Sequence, residues 1–116
     1  PLRLTPAAPA RVDALLAGRA APYRRLDTAV LEALILEDAL GMTAAQIDRR
    51  DGLAYARDLD HALDAVASGA ADAAFLMGPT PVARIRAVAA AGEAMPPKST
   101  YFFPKIPTGL VFLPLA

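Results

Sequence analysis

The segment between Lys98 and Thr108 holds the residues with the clearest potential for chemistry. Lysine occurs at only two positions, Lys98 and Lys105, whereas the other ten basic residues are all arginine. A lysine ammonium is a compact charge that suits a single phosphate or carboxylate oxygen. The amines, hydroxyls and ring of this segment are therefore the predicted ligand-binding groups: Lys98, Ser99, Thr100, Tyr101, Lys105 and Thr108.

Two predicted strands, 99–103 and 109–113, position these groups on a C-terminal β-hairpin whose connection contains two prolines. Side chains alternate between the faces of a strand, so Lys98 and Thr100 would share one face. One face of the strand could enter the core, and the other could line a polar pocket together with Thr108. The alternative is an ordinary edge strand, in which the aromatic residues pack into the core and the lysines protect the edge.

Other carboxylates in the sequence favour a structural interpretation. Asp58, Asp60 and His61 could bind a cation, but acidic residues at a helix start are favoured by the helix dipole and are usually solvated. Glu37 and Asp38 are adjacent, and neighbours on a helix point in different directions. We therefore expect neither group to form a site.

Motifs for known chemistry are absent from the sequence. It contains no P-loop, dinucleotide fingerprint, nucleophile elbow or EF-hand pattern. It has no Cys, which excludes Cys-ligated zinc and iron–sulfur clusters, and a single His, which excludes His-rich metal sites. Thr80 follows Gly78-Pro79 and is expected to cap a helix rather than to bind an anion. We expect no catalytic residue, no metal and no cofactor in this chain.

Five helices are predicted from apolar spacing and capping residues. They run from Thr5-Pro6 to Gly18, from Asp27 to Gly41, from the capping box at Thr43 to Asp48, from Asp58 to Gly69, and from Thr80-Pro81 to Gly92.

Strands are predicted at 53–57 and at 73–77, the latter a continuous apolar run typical of a strand covered on both faces. With the helices between and after them they form a βαβ unit over residues 53–91. The predicted fold class is α/β (or α+β), with a small mixed sheet, helices packed on it and the C-terminal hairpin. The 116 residues are expected to form a single domain, 1–116.

Composition and net charge limit the classes of partner that the chain is expected to bind. The chain is 55% hydrophobic and carries 12 basic and 12 acidic residues, so its formal net charge is zero. Nucleic-acid-binding domains normally carry a basic excess, and anionic membranes also attract basic proteins. We expect no nucleic acid, no membrane and a cytoplasmic location. An apolar, uncharged domain often buries surface against a second copy, giving a homodimer, or against a missing domain.

The sequence resembles the C-terminal part of a prokaryotic family catalogued as domain of unknown function 1015, over most of residues 26–113. The most similar blocks are 68–76, 79–82 with 86–88, and above all 95–105 continued by 108–111. Two positions depart from the family pattern. Phe103 stands where a Tyr is often found, and Pro107 is less typical.

The resemblance implies that this chain is a C-terminal fragment of a longer protein. Full-length relatives carry an N-terminal half with an Asp-Gly-His-His-Arg type motif, similar to ParB-like nucleotide-using folds, some of which phosphorylate free serine. This sequence contains no such motif. Its missing N-terminal domain would then be a partner.

Three functions follow from these observations. The first is a non-catalytic module that contributes an anion or small-molecule binding surface through the Lys98–Thr108 hairpin. The second is a purely structural or oligomerisation domain with an apolar helix face. The third is part of a ParB-like small-molecule kinase whose catalytic half is absent, so enzyme activity stays open for the parent protein.

Overall fold

The computed structural model describes residues 9–97, 99 and 100, which form helices and the segments that connect them. No β-strand occurs among these residues. The helical elements are α1 (Pro9–Leu15), a 3₁₀ turn (Tyr23–Arg25), α2 (Asp27–Val30), a π-helix (Leu31–Ala39), α3 (Ala44–Arg49), α4 (Leu59–Ala67) and α5 (Val82–Ala90).

The predicted α/β class, with its βαβ unit over 53–91, is therefore wrong. Residues 53–57 and 73–77 lie in irregular connections, and Phe75, Leu76 and Met77 are exposed rather than covered on both faces. Neither segment contains a β-branched residue, and alanine, which is depleted in strands, occupies two positions in each. Each segment has a single strand-favouring residue, Tyr55 or Phe75, and this was not sufficient to specify a strand.

The predicted C-terminal hairpin and the start of the first helix at Thr5-Pro6 lie outside the described residues. In the described part α1 ends at Leu15, three residues before the predicted stop at Gly18.

Capping residues correctly predicted the starts of α3 and α4 and the end of α5. The prediction that Thr80 caps α5 was wrong, because Pro81 is the N-cap residue and no side chain caps this helix. The Thr43 hydroxyl accepts a hydrogen bond from the Gln46 N–H at 3.2 Å, and the Gln46 side chain accepts one from the Thr43 N–H at 2.9 Å, which completes the capping box. The Asp58 carboxylate accepts the His61 N–H at 2.8 Å at the start of α4. Gly92, with φ of +74°, ends α5.

The helix predicted from Asp27 to Gly41 is present, but most of it is π-helical. After one α-helical turn, residues 31–39 adopt the wider hydrogen-bonding pattern, and the Leu40 N–H bonds the Ile35 carbonyl at 2.9 Å. π-Helical segments are rare, are usually a single turn long, and often occur at functional sites.

A small core joins the early helices to α5. Tyr23, Leu26, Ala29 and Val88 form one buried cluster, with Leu16 and Met95 packed against it. Arg84 on α5 extends this junction, because its guanidinium donates to the Arg25 carbonyl at 3.0 Å and to the Asp27 carboxylate at 3.1 Å. These contacts hold residues far apart in sequence around one centre.

None of the helices in the described part is long and apolar enough to cross a membrane.

Candidate functional site

The predicted Lys98–Thr108 site is described at two residues only. The Ser99 hydroxyl donates to the Pro96 carbonyl and closes a turn, and Thr100 is exposed. Lys98, Tyr101, Lys105 and Thr108 lie outside the described residues. The binding pocket expected there stays a prediction.

The acidic start of α4 is occupied by local interactions. Besides capping α4, the Asp58 carboxylate accepts a hydrogen bond from the Arg57 guanidinium at 3.1 Å. Asp60 and His61 are exposed. In the part of the chain that the structure describes, no three His, Cys, Asp or Glu residues come together as a metal site would require.

Glu37 and Asp38 point in different directions, as the sequence predicted. Asp38 pairs with Arg11 of α1, whereas Glu37 lines a cavity on another side of the helix. Only one of the two carboxylates is therefore available to that cavity.

This cavity, which sequence reasoning missed, has a volume of about 260 Å³. We call it the Glu32–Glu37 cavity. Its polar walls come from the side chains of Arg19, Tyr23, Glu32 and Glu37, and its apolar walls from Leu16, Ala29, Ala33 and Ala44. It thus lies between the chain that follows α1, the helix over residues 27–39 and the start of α3.

The π-helix explains why two glutamates face the cavity together. Residues five apart are about 140° apart around an α-helix of 3.6 residues per turn, so Glu32 and Glu37 would point to different sides of it. A π-helix bonds residue i to residue i+5 and brings such residues to one side. Both residues therefore line the same space, Glu32 half-buried and Glu37 exposed.

Arg19, the cation of the cavity, is held by other groups. Its guanidinium pairs with the Glu93 carboxylate at 3.1 Å and lies 4.7 Å from the centre of the Tyr23 ring. The other Glu93 oxygen accepts the Ala20 N–H at 2.6 Å. Glu93 reaches this position because the turn ending α5 is a Schellman motif, in which the Gly92 and Glu93 N–H groups bond the Ala89 and Val88 carbonyls.

Glu32 is the half-buried carboxylate of the cavity. Burial raises the pKa of its carboxyl group, and the negative charges of Glu37 and Asp48 raise it further, while Arg19 lowers it. No ion pair to Glu32 occurs within residues 9–97, since Arg19 is bound to Glu93. Arg19 therefore makes no ion pair with Glu32 and offsets only part of the effects that raise its pKa.

The use of glutamate rather than aspartate is the sequence feature that could have indicated this cavity. Nine of the twelve acidic residues are aspartate, and the only glutamates are Glu32, Glu37 and Glu93. Two of them line the cavity and the third holds its arginine. The same argument that singled out the two lysines applies equally to these three residues.

A second feature is an exposed apolar face on α4. Leu59, Leu63 and Val66 follow one another at helical spacing and are 54%, 49% and 38% exposed. We call these three residues the α4 stripe. Of the ten large apolar side chains that are exposed in the described part, eight lie between residues 55 and 82. Apolar surface is thus concentrated on this half of the described chain.

Comparisons with protein-family models, with curated proteins and with solved structures found no match to this chain. The resemblance of residues 26–113 to the family named above accordingly stays a prediction.

Proposed function

We propose that this chain is a helical oligomerisation domain, in which the α4 stripe of one copy packs against the same stripe of a second copy. The observation that carries this proposal is the exposure of Leu59, Leu63 and Val66 on one helix face. Apolar side chains that recur at helical spacing normally face a protein interior. Apolar side chains grouped on an exposed face often mark a protein–protein interaction site.

A second copy is the occupant that the charges favour. With 12 basic and 12 acidic residues, two copies do not repel each other through net charge. A two-fold interface places the same patch on both subunits, so a stripe that is apolar along its length is complementary to itself. In an antiparallel arrangement Arg57, whose side chain is 82% exposed, would approach the negative end of the partner's α4.

Sedimentation velocity over a range of concentrations tests the proposal. The parent chain is expected to dimerise, and the Leu63→Glu variant to be monomeric, because a buried unpaired carboxylate is costly at an apolar interface. Leu40→Glu is the matched control. Leu40 is 61% exposed but lies outside the stripe, so this variant should dimerise like the parent.

Circular dichroism establishes that each variant keeps its helices, and Leu59→Glu repeats the test at a second position of the stripe. A parent chain that is monomeric at all concentrations would overturn the proposal. So would a dimer that survives both substitutions in the stripe.

A further inference from the structure

Asp51 and Gly52 lie in the turn that follows α3, and they form the one Asp-Gly pair in the sequence. Both residues are exposed, and neither belongs to the α4 stripe. In an Asp-Gly pair the main-chain nitrogen of the glycine can attack the carboxyl carbon of the aspartate and close a five-membered succinimide ring. Glycine favours this attack, because it has no Cβ to hinder a close approach. The folded turn decides whether the two groups can meet.

The turn leaves the attacking nitrogen without a hydrogen bond. Arg50 ends α3 in the left-handed conformation, with φ of 57°, and the Asp51 N–H bonds the Gln46 carbonyl at 2.8 Å. The next donor along the chain, the Gly52 N–H, bonds no group in the part of the chain that the structure describes. Inside an α-helix the corresponding N–H would be bonded one turn back and held away from the carboxyl group.

The carboxylate of Asp51 is also free to turn toward its own main chain. It takes part in no ion pair among the described residues, whereas Asp58 pairs with Arg57 and caps α4. The space around the next residue is open as well, since a Cβ built on Gly52 would meet no atom within 4 Å. The ring can therefore form without displacing a neighbouring group.

We propose that Asp51 is a site of spontaneous isomerisation to isoaspartate in the folded chain. The Gly52 nitrogen forms a bond to the side-chain carboxyl carbon of Asp51 and loses its proton, while one carboxyl oxygen leaves as water. A water molecule then opens the succinimide. Attack at the side-chain carbonyl restores aspartate, and attack at the main-chain carbonyl gives isoaspartate. One water molecule is released and one is consumed, so the mass is unchanged and no other reactant is needed.

The product would change the connection between α3 and α4. In isoaspartate the main chain runs through the side-chain carbon, which lengthens it by one methylene, and the negative charge moves to the carboxylate on Cα. The bond from the Asp51 N–H to the Gln46 carbonyl lies on the other side of the modified carbon. We therefore expect α3 to keep its C-terminal hydrogen bonds, and the change to fall on the segment that leads to α4.

Incubation of the folded full chain at neutral pH, below its Tm, tests the proposal. An isoaspartyl methyltransferase with radiolabelled S-adenosylmethionine measures the product, because it methylates the carboxylate that isomerisation exposes. Electron-transfer fragmentation in a mass spectrometer locates the product in the sequence. We expect a methyl-accepting signal that increases with time and lies at position 51. A second sample, unfolded in urea, gives the behaviour of the chain without the turn.

Three variants assign the site. Asp51→Glu keeps the charge but would have to close a six-membered ring, so it should lose the signal. Asp72→Glu is the matched control and should keep it, because Asp72 is exposed and outside the helices but is followed by Ala73. Gly52→Ala should slow the reaction by adding a Cβ. Circular dichroism checks that this last variant keeps its helices, since φ of +75° at Gly52 disfavours a side chain.

Three results would overturn the proposal. A signal in Asp51→Glu equal to that of the parent would place the isoaspartate elsewhere. Equal product at Asp51 and Asp72 would show that the Asp-Gly pair has no special reactivity. Product in the urea-unfolded sample with none in the folded chain would show that the turn protects Asp51. Dimerisation is measured by sedimentation on fresh protein, so none of these outcomes alters the test of the proposed function.

Discussion

At the scale of the residue, two threonines have hydroxyl groups in opposite situations. Thr43 caps α3 and exchanges hydrogen bonds with Gln46. The Thr28 hydroxyl, in the first turn of α2, is buried without a hydrogen-bond partner among the described residues. A buried polar group without a partner reduces stability, whereas a capping hydroxyl increases it.

The same substitution at these two positions should therefore have opposite effects. Thr28→Val is expected to raise the free energy of unfolding by about 1 kcal/mol, because an unpaired hydroxyl is removed from the interior. Thr43→Val should lower it by about 1 kcal/mol through loss of the cap. Urea denaturation followed by circular dichroism measures both. A destabilised Thr28→Val variant would show that its hydroxyl is satisfied in solution.

Glu32 should make stability depend on pH. Burial, followed by the charges of Glu37 and Asp48, raises its pKa in the folded chain above the ordinary value of 4.5, and Arg19 offsets only part of this. A raised carboxyl pKa means that the folded state binds the proton more tightly than the unfolded state. This contribution to stability is complete below the unfolded pKa and is lost as pH rises through the folded pKa.

The free energy of unfolding of the parent chain should accordingly fall more than that of Glu32→Gln as pH rises from 4.5 to neutrality. Urea denaturation at a series of pH values gives the two curves. NMR titration of the Glu32 carboxyl carbon should show the raised pKa directly. Parallel curves for the two proteins would contradict the assignment of this pH dependence to Glu32.

At the scale of the element, three helix ends were predicted well and the strands were not. The residue that caps a helix acts within one turn, so Thr43, Asp58 and Gly92 indicate helix boundaries without knowledge of the rest of the fold. A strand depends on a partner that is distant in sequence. The apolar run 73–77 supplies hydrophobicity but no such partner in the described part, and its alanines disfavour extended pairing.

The Glu32–Glu37 cavity was unpredictable for a related reason. Helical spacing correctly predicted a helix over residues 27–41, but the 3.6-residue period does not indicate which helices widen to a π-helix. With an α-helical period, Glu32 and Glu37 would lie on different faces. Only the arrangement of the whole helix brings them to one wall.

Gly92 connects the end of α5 to this site. Its φ of +74° is a conformation that disfavours any side chain, although a Cβ there would meet no neighbouring atom. Gly92→Ala should thus cost about 1 kcal/mol of unfolding free energy through backbone strain alone. Gly18→Ala is the matched control. Gly18 also has open space around it but lacks a positive φ, so alanine there should be neutral or slightly stabilising.

Thermal or urea unfolding of the two alanine variants decides between strain and loss of packing. Equal effects at both positions would refute the role of backbone conformation at Gly92. Because Gly92 precedes Glu93, the same variant should also disturb the NMR signals of Arg19 and Ala20, which Glu93 contacts.

At the scale of the whole molecule, the buried core and the α4 stripe are separate features. The core cluster joins Tyr23, Leu26 and Ala29 to Val88 of α5. From α4, only Ala62 is buried. The core therefore stabilises the folded chain itself, while the stripe is available to stabilise an assembly.

This separation predicts two distinct kinds of destabilised variant. Leu26→Ala, at a side chain that is 1% exposed, should lower the free energy of unfolding by about 3 kcal/mol at every protein concentration. Leu63→Ala, at a side chain that is 49% exposed, should lower Tm mainly at high concentration, where the dimer forms. Association of folded chains raises Tm with concentration, because only the folded state presents the interface.

Thermal unfolding at two concentrations about a hundredfold apart compares the two variants with the parent. The Tm of the parent and that of Leu26→Ala should both be higher at the higher protein concentration, whereas the Tm of Leu63→Ala should change little. A parent whose Tm is independent of concentration would mean that the stripe binds no second copy. If instead Leu63→Ala loses as much Tm as Leu26→Ala at the lower concentration, Leu63 is part of the core of the single chain, and α4 is more deeply packed than its exposure indicates.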